Sequence, residues 1–189
     1  MSRIEPKALS RYPWSVRWFL LRQRRKYGRV LAPSLLWGRL PGVFLSVLLT
    51  LGYFQGRRFP VGALLRSLVS IRIAQLNGCY FCVDLNSYNF LRASGAEEKA
   101  TEVGRWRESD RYTDLERAAL DYAEVMTERC AEVSGHHITQ LRRHLTDDEV
   151  TALTAWIAFQ NMSAKFNAAL GAEEHGFCSL PSGGNGSAE

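Results

Sequence analysis

Apolar residues recur at intervals of three and four along most of the chain, and this period predicts α-helices. In the segment from Val61 to Asn77 the apolar positions include Leu64, Leu68 and Ile71. No stretch shows the alternation of apolar and polar residues that a half-buried strand would give. The pattern therefore predicts an all-α protein whose first helices cover residues 13–27, 43–54, 61–77, 80–93 and 97–106.

Two capping boxes mark the starts of later helices. Thr113 is followed three residues on by Glu116, and Thr146 is followed by Glu149. In such a pair each side chain bonds the backbone N–H of the other residue, which satisfies two donors at a helix start. A long helix is predicted to run from the second box to Gly171.

The chain has 189 residues and a hydrophobic content of 46%, and its charge is distributed unevenly along the sequence. Residues 1–60 sum to +11 and residues 61–189 to −6. A basic first third is compatible with a nucleic acid, a membrane surface or an acidic neighbouring subunit. No groove-reading motif accompanies the arginines, so no specific nucleic acid is expected. The aromatic face of the first helix, with Trp14 and Trp18, is expected to pack on the body of the protein.

Composition also suggests the division of the chain. Residues 1–36 form a basic Trp/Arg-rich extension, residues 37–178 a helical domain, and residues 179–189 a Pro/Gly/Ser tail that is expected to be disordered. The apolar run from Val43 to Phe54 is too short to cross a bilayer. It is expected to be a buried or interface helix, with weak membrane-surface contact as the alternative. With no signal-peptide pattern, a cytoplasmic location is expected.

The candidate chemistry lies in the sequence Asn77-Gly78-Cys79-Tyr80-Phe81-Cys82. Asn-Gly ends one predicted helix and the cysteines begin the next, so a spacing of three places both sulfurs on one helical face. The positive end of the helix dipole stabilises a thiolate there. Such a pair suits reversible dithiol chemistry. Two alternatives stay open. The cysteines could be small core residues, or they could form a zinc site with His175 and Cys178, in which zinc would be the one cofactor.

Two segments carry a family resemblance. Residues 65–82, LRSLVSIRIAQLNGCYFC, and residues 157–171, IAFQNMSAKFNAALG, resemble the carboxymuconolactone decarboxylase / alkylhydroperoxidase D superfamily, and the likeness extends over about residues 37–171. The resemblance implies an all-α helical bundle with the CxxC at a helix N-terminus and a homo-oligomeric assembly. In the family's peroxidase branch Cys82 would attack a hydroperoxide and Cys79 would resolve the product.

The sequence departs from that branch at both positions of its proton relay. Ser67 stands where the family pattern has Glu, and Asn86 stands where it has His. Neither side chain is a base near neutral pH. Asn86 lies one turn from Cys82 and is expected to be able to donate a hydrogen bond to its thiolate. Ser67 and Cys178 complete the set of possible supporting residues, with Cys178 as an alternative resolving thiol.

Polar residues also crowd the otherwise apolar last helix: Gln160, Asn161, Ser163, Lys165 and Asn167. Polar groups on a buried helix need partners. They are expected to bond to other helices or subunits, with the alternative that some of them lie over Cys82.

Three functions compete at this point. The first is a thiol peroxidase or disulfide reductase that acts on a small hydroperoxide or disulfide and is regenerated by an external thiol. The second is a catalytically degenerate, oligomeric binding or structural member of the family. The third is a fold stabilised by zinc.

Overall fold

The computed structural model describes residues 2–177, and within that range the chain is helical with no strand. The tail 179–189 and Cys178 lie outside the described residues. Short 3₁₀ segments occur at Leu9–Arg11, Glu102–Glu108 and Cys130–Glu132. The α-helices are α1 (Trp14–Tyr27), α2 (Ala32–Trp37), α3 (Pro41–Gln55), α4 (Ala63–Leu76), α5 (Tyr80–Ser94), α6 (Glu97–Thr101), α7 (Asp114–Glu128), α8 (Gly135–Arg142) and α9 (Asp147–Ala169). The all-α prediction is confirmed.

Both predicted capping boxes are formed. The hydroxyl of Thr113 accepts the N–H of Glu116 at 3.3 Å, and the Glu116 carboxylate accepts the N–H of Thr113 at 2.8 Å. Thr146 and Glu149 repeat the arrangement at the start of α9. The helix predicted over 97–106 divides instead into α6 and a 3₁₀ segment, with Arg105 outside helical φ/ψ.

Helix α4 lies at the centre of the main core and packs against α5, α7 and α9. Its apolar side chains Leu68, Val69, Ile71 and Ile73 are fully buried. Burial on several sides leaves α4 little room to rotate or slide, since each side chain fits between those of a neighbouring helix. The ends of α4 are therefore held in fixed positions.

A buried carboxylate fastens α7 to α4. Glu124 of α7 accepts hydrogen bonds from Arg72 Nε at 2.5 Å, from Arg107 Nη1 at 2.5 Å and from Trp106 Nε1 at 2.9 Å. Burial alone would raise the pKa of Glu124, but these three donors outweigh it and hold the pKa below its usual value. The carboxylate is therefore ionised at neutral pH and joins α4, α7 and the 3₁₀ segment Glu102–Glu108.

The N-terminal extension folds against the rest of the chain. Its buried residues Val16 and Leu20 of α1 form a second core with Trp37 and Phe44, onto which Phe166 of α9 packs. The prediction for its aromatic face is wrong, because Trp14 is 79% exposed and Trp18 is 62% exposed. The positions that α1 buries are Val16, Leu20 and Gln23.

Helix α3 is apolar over its length yet buries only Phe44 and Phe54. Leu45, Leu49 and Tyr53 are exposed, Leu49 to 77%. Of the two expected positions, α3 does not take the buried one within this chain, and an interface position remains a prediction. No helix in residues 2–177 combines the length and the apolar character that crossing a bilayer requires.

Replacing Glu124 by Gln should lower the free energy of unfolding by about 3 kcal/mol, because Arg72, whose side chain is only 18% exposed, loses its counter-charge. Urea denaturation measures the change. The matched control is Asp121→Asn, which removes an exposed carboxylate from the same Arg107 and should cost under about 1 kcal/mol. Equal losses in the two variants would contradict the role assigned to Glu124.

Candidate redox site

The two cysteines stand where the chain turns from α4 into α5. Gly78 has φ +63°, a left-handed conformation that favours glycine, and it lets the chain reverse directly after Asn77. Cys79 is the N-cap residue of α5, and Cys82 lies in the first turn of that helix. The structure holds the pair as a Cys79–Cys82 disulfide with 5.2 Å between the Cα atoms.

The first turn of α5 supplies a hydrogen-bond donor to one of the two sulfurs. Cys79 Sγ accepts the backbone N–H of Cys82 at 3.3 Å, as a side-chain oxygen would at an N-cap. Because the helix dipole places partial positive charge here, a sulfur that gains negative charge on reduction is stabilised. Cys79 is 2% exposed and Cys82 is 7% exposed, so both residues are buried.

A second donor reaches Cys82 from the far end of α9. The amide of Asn167 donates from Nδ2 to Cys82 Sγ at 3.4 Å. Its Oδ1 accepts the indole N–H of Trp37 at 3.2 Å, and this contact fixes which end of the amide faces the sulfur. The Trp37 ring in turn stacks on Phe166 with 3.7 Å between the ring centroids. Trp37, the last residue of α2, thus orients a hydrogen bond to the dithiol.

Another pair of amides braces the turn before the cysteines. Asn77 donates from Nδ2 to Oδ1 of Asn161 at 3.0 Å. Asn161 donates in turn to the hydroxyl of Thr127 in α7 at 3.0 Å. The polar residues of α9 therefore fulfil both expectations, since Asn161 bonds to other helices and Asn167 lies against Cys82.

The two relay positions lie elsewhere. Asn86 donates from Nδ2 to the carbonyl oxygen of Cys82 at 2.8 Å, not to its sulfur. Ser67 is half-buried on α4. Within residues 2–177 the donors to the two sulfurs are the Cys82 N–H and the Asn167 amide, and neither is a titrating group.

The segment after α9 crosses the start of α5. The carboxylate of Asp84 accepts the backbone N–H groups of His175 at 3.1 Å and Phe177 at 3.0 Å. The His175 ring packs edge-on against Phe81, which lies between the two cysteines in sequence. The segment is thus held beside the dithiol by a buried carboxylate.

His175 bears on the zinc alternative. Its Nε2 accepts the backbone N–H of Ala32 at 3.1 Å, which occupies one of the two ring nitrogens that could bind a metal. Residues 2–177 contain no cluster of three or more metal-ligating side chains. Cys178, the remaining ligand of that alternative, lies outside the described residues.

Sequence reasoning missed the partners of Asn167 and the role of Asp84. The sequence indicated that Asn167 needs a partner, because it is a polar residue on an otherwise apolar helix. It gave no such indication for Trp37, because its contact with Asn167 spans 130 residues of sequence.

Comparison with known proteins places this site in a family. A model of the carboxymuconolactone decarboxylase family matches residues 60–125, which include both cysteines. The chain is 39% identical over 173 residues to the uncharacterized protein YnjA of Escherichia coli K12, covering 92% of this chain and 95% of that protein. The chain belongs to the carboxymuconolactone decarboxylase family. The resemblance seen in the sequence is thereby confirmed.

Solved structures share the family fold. A peroxidase-related protein with the alkylhydroperoxidase core, from Ralstonia eutropha JMP134, superposes with a TM-score of 0.83 at 20% identity, covering 92% of each chain. The debrominase Bmp8 superposes with a TM-score of 0.76 at 19% identity, covering 91% of each chain. At these identities the likeness establishes the fold alone.

Replacing Asn167 by Ala should slow alkylation of the reduced Cys82 by iodoacetamide about tenfold at neutral pH, because a hydrogen bond to a charged sulfur is lost. Mass spectrometry of the peptide containing Cys82 gives the rate. Gln160→Ala is the control, since it removes an amide from the same helix without touching the sulfur. An unchanged rate in Asn167→Ala would contradict the contact's importance for the thiolate.

Acidification should loosen the segment that carries His175. Burial, and next the nearby charge of Arg29, lower the pKa of His175 from its ordinary value of 6.5. The unfolded chain therefore binds the proton more readily, so the stabilisation is complete above pH 6.5 and is lost as the pH falls below it. Between pH 7.5 and 5.5 the free energy of unfolding in urea should fall more in the natural protein than in His175→Gln. Equal falls in the two proteins would show that the pKa of His175 is the same in the folded and the unfolded chain.

Proposed function

We propose that this family member is a thiol–disulfide oxidoreductase in which Cys82 and Cys79 form a reversible redox pair. The observation that carries the proposal is the pairing of the two cysteines at the start of α5, with a donor on each sulfur. A purely structural pair would not need an oriented amide on one of its sulfurs. Two proteins with this fold, one peroxidase-related and one a debrominase, are compatible with cysteine chemistry at this site.

The chemistry balances with two external thiols. The Cys82 thiolate attacks one oxygen of a hydroperoxide, the O–O bond breaks, and the alkoxide leaves as an alcohol after gaining a proton. Cys82 is then a sulfenic acid. The Cys79 thiol attacks its sulfur, water leaves and the disulfide forms. Two molecules of an external thiol return two electrons and two protons and become a disulfide themselves.

The hydrogen-bond donors beside the two sulfurs influence which substrates the dithiol reduces well. Asn167 holds negative charge on Cys82 but does not move a proton. Losing a positioned acid–base group typically costs roughly 10²–10⁴-fold in rate. Disulfide exchange depends less on such a group, because its leaving thiolate is stable near neutral pH. We therefore favour disulfides over hydroperoxides as the better substrates.

Location and assembly follow from the same proposal. A dithiol that must be reduced again suits the cytoplasm, where thiol donors are abundant. The exposed apolar side chains Leu45, Leu49 and Tyr53 of α3 support a homo-oligomer, in which a second copy would cover them.

Turnover of a small disulfide or of tert-butyl hydroperoxide, with dithiothreitol as donor, should be lost in Cys82→Ser. Cys79→Ser should instead accumulate a mixed disulfide on Cys82, visible as added mass on the intact protein. Cys130→Ser removes an exposed free cysteine and should leave turnover unchanged. If the natural protein turns over neither substrate, or Cys82→Ser matches it, the degenerate binding member is the correct alternative.

A further inference from the structure

The N-terminal end of α4 contains a buried cation that has no counter-ion. Arg66 is 9% exposed, and within residues 2–177 its side chain forms no ion pair. Its Nε is fully buried without a hydrogen-bond partner. Buried arginines are normally paired, because an uncompensated charge in a low-dielectric interior is costly. Burial lowers the pKa of Arg66 from 12.5, but a guanidinium still keeps its proton at neutral pH.

Aromatic rings surround this guanidinium. Its Cζ lies 5.3 Å from the ring centroid of Phe59 and 5.6 Å from that of Trp156. Phe54 packs edge-on against both rings. Ring faces offset part of the cost of burying the charge. They do not accept the N–H of Nε, which stays without a partner.

The side chain is aimed at the start of its own helix. Helical side chains lean toward the helix N-terminus, and Arg66 reaches Phe59, which precedes α4 in sequence. At that end the N-cap residue is Gly62, which has no capping side chain, and the first turn holds no acidic residue. Gly62 is exposed, and a Cβ built on it would meet nothing within 4 Å, so the space beside this N-cap residue is open.

The Arg66 guanidinium and the uncapped start of α4 both favour an anionic ligand. Free N–H groups and the helix dipole attract an anion, and a guanidinium edge binds a carboxylate through parallel hydrogen bonds. One full positive charge with the partial charge of a helix end matches a single negative charge better than two. The neighbouring Leu64 is exposed and apolar, which suits a hydrocarbon group beside the carboxylate.

We propose that the N-terminal end of α4, with Arg66 at its centre, is a binding site for a small carboxylic acid that carries an aryl or alkyl group. This site is separate from the dithiol. Leu76 lies ten positions after Arg66 on α4, a helical rise of about 15 Å, and the Arg66 guanidinium lies over Phe59, which precedes the helix. The acid is therefore bound at a second site and does not react with Cys82.

Thermal unfolding of the full chain with benzoate tests the proposal, with benzamide as a neutral probe of the same shape. At a benzoate concentration tenfold above its dissociation constant, Tm should rise by about 3 °C, and benzamide should leave it unchanged at equal ionic strength. Arg66→Met should abolish the rise without lowering Tm in the absence of ligand, because the variant removes an unpaired buried charge. Arg57→Met, which removes an exposed arginine nearby, should keep the full rise.

Arg66→Lys keeps the charge but loses the paired N–H groups, so it should bind benzoate more weakly than the natural protein and should fold if Arg66→Met does not. The proposal is overturned if benzoate and benzamide shift Tm equally, if benzoate gives no rise, or if the rise persists in the Arg66 variants. None of these readouts depends on the redox state of Cys82, so the carboxylate site and the dithiol function can fail independently.

Discussion

Burial of α4 on several sides is the constraint from which the rest of the structure follows. A helix in that position has little solvent to satisfy its polar groups, so most of them need partners on neighbouring elements, and the Arg66 Nε is the exception among the described residues of α4. Arg72 finds Glu124 on α7, and the Arg66 carbonyl accepts the indole N–H of Trp156 on α9. These polar contacts lie at fixed points along α4, so they set the register of the neighbouring helices as well as stabilising them.

The fixed position of α4 also explains why the two cysteines follow its C-terminal end. Along the middle of α4 the side chains fill the core, whereas at its C-terminal end the chain must turn, and Gly78 brings the cysteines to the first turn of α5. Asn77 and Asn161 hold that turn against α9. The sulfurs are therefore positioned by the packing of three helices, and α9 also brings in the amide of Asn167.

Local sequence was sufficient to predict some features and insufficient for others. The capping boxes and the dithiol at a helix start depend on residues within a few positions of one another, so their patterns could be read directly. The burial of α1 was predicted on the wrong face, because hydrophobicity favoured Trp14 and Trp18 while the chain buries Val16, Leu20 and the polar Gln23. Gln23 is buried because it bonds Ser34 and the N–H of Leu31. Asn86 was misplaced for a similar reason, since the nearby carbonyl of Cys82 competes with the sulfur for its amide.

The contact between Trp37 and Asn167 also has a consequence for biosynthesis. The indole is made 130 residues before the amide that it orients, and Phe166, which closes the second core, is equally late. While the ribosome is still adding the middle helices, the second core lacks Phe166, and Cys82 lacks its side-chain donor. Nascent chains fold by domains and expose apolar surface until a partner segment emerges. The dithiol therefore acquires its complete surroundings only after α9 has been synthesised, and until then its sulfurs are those of an ordinary helix start.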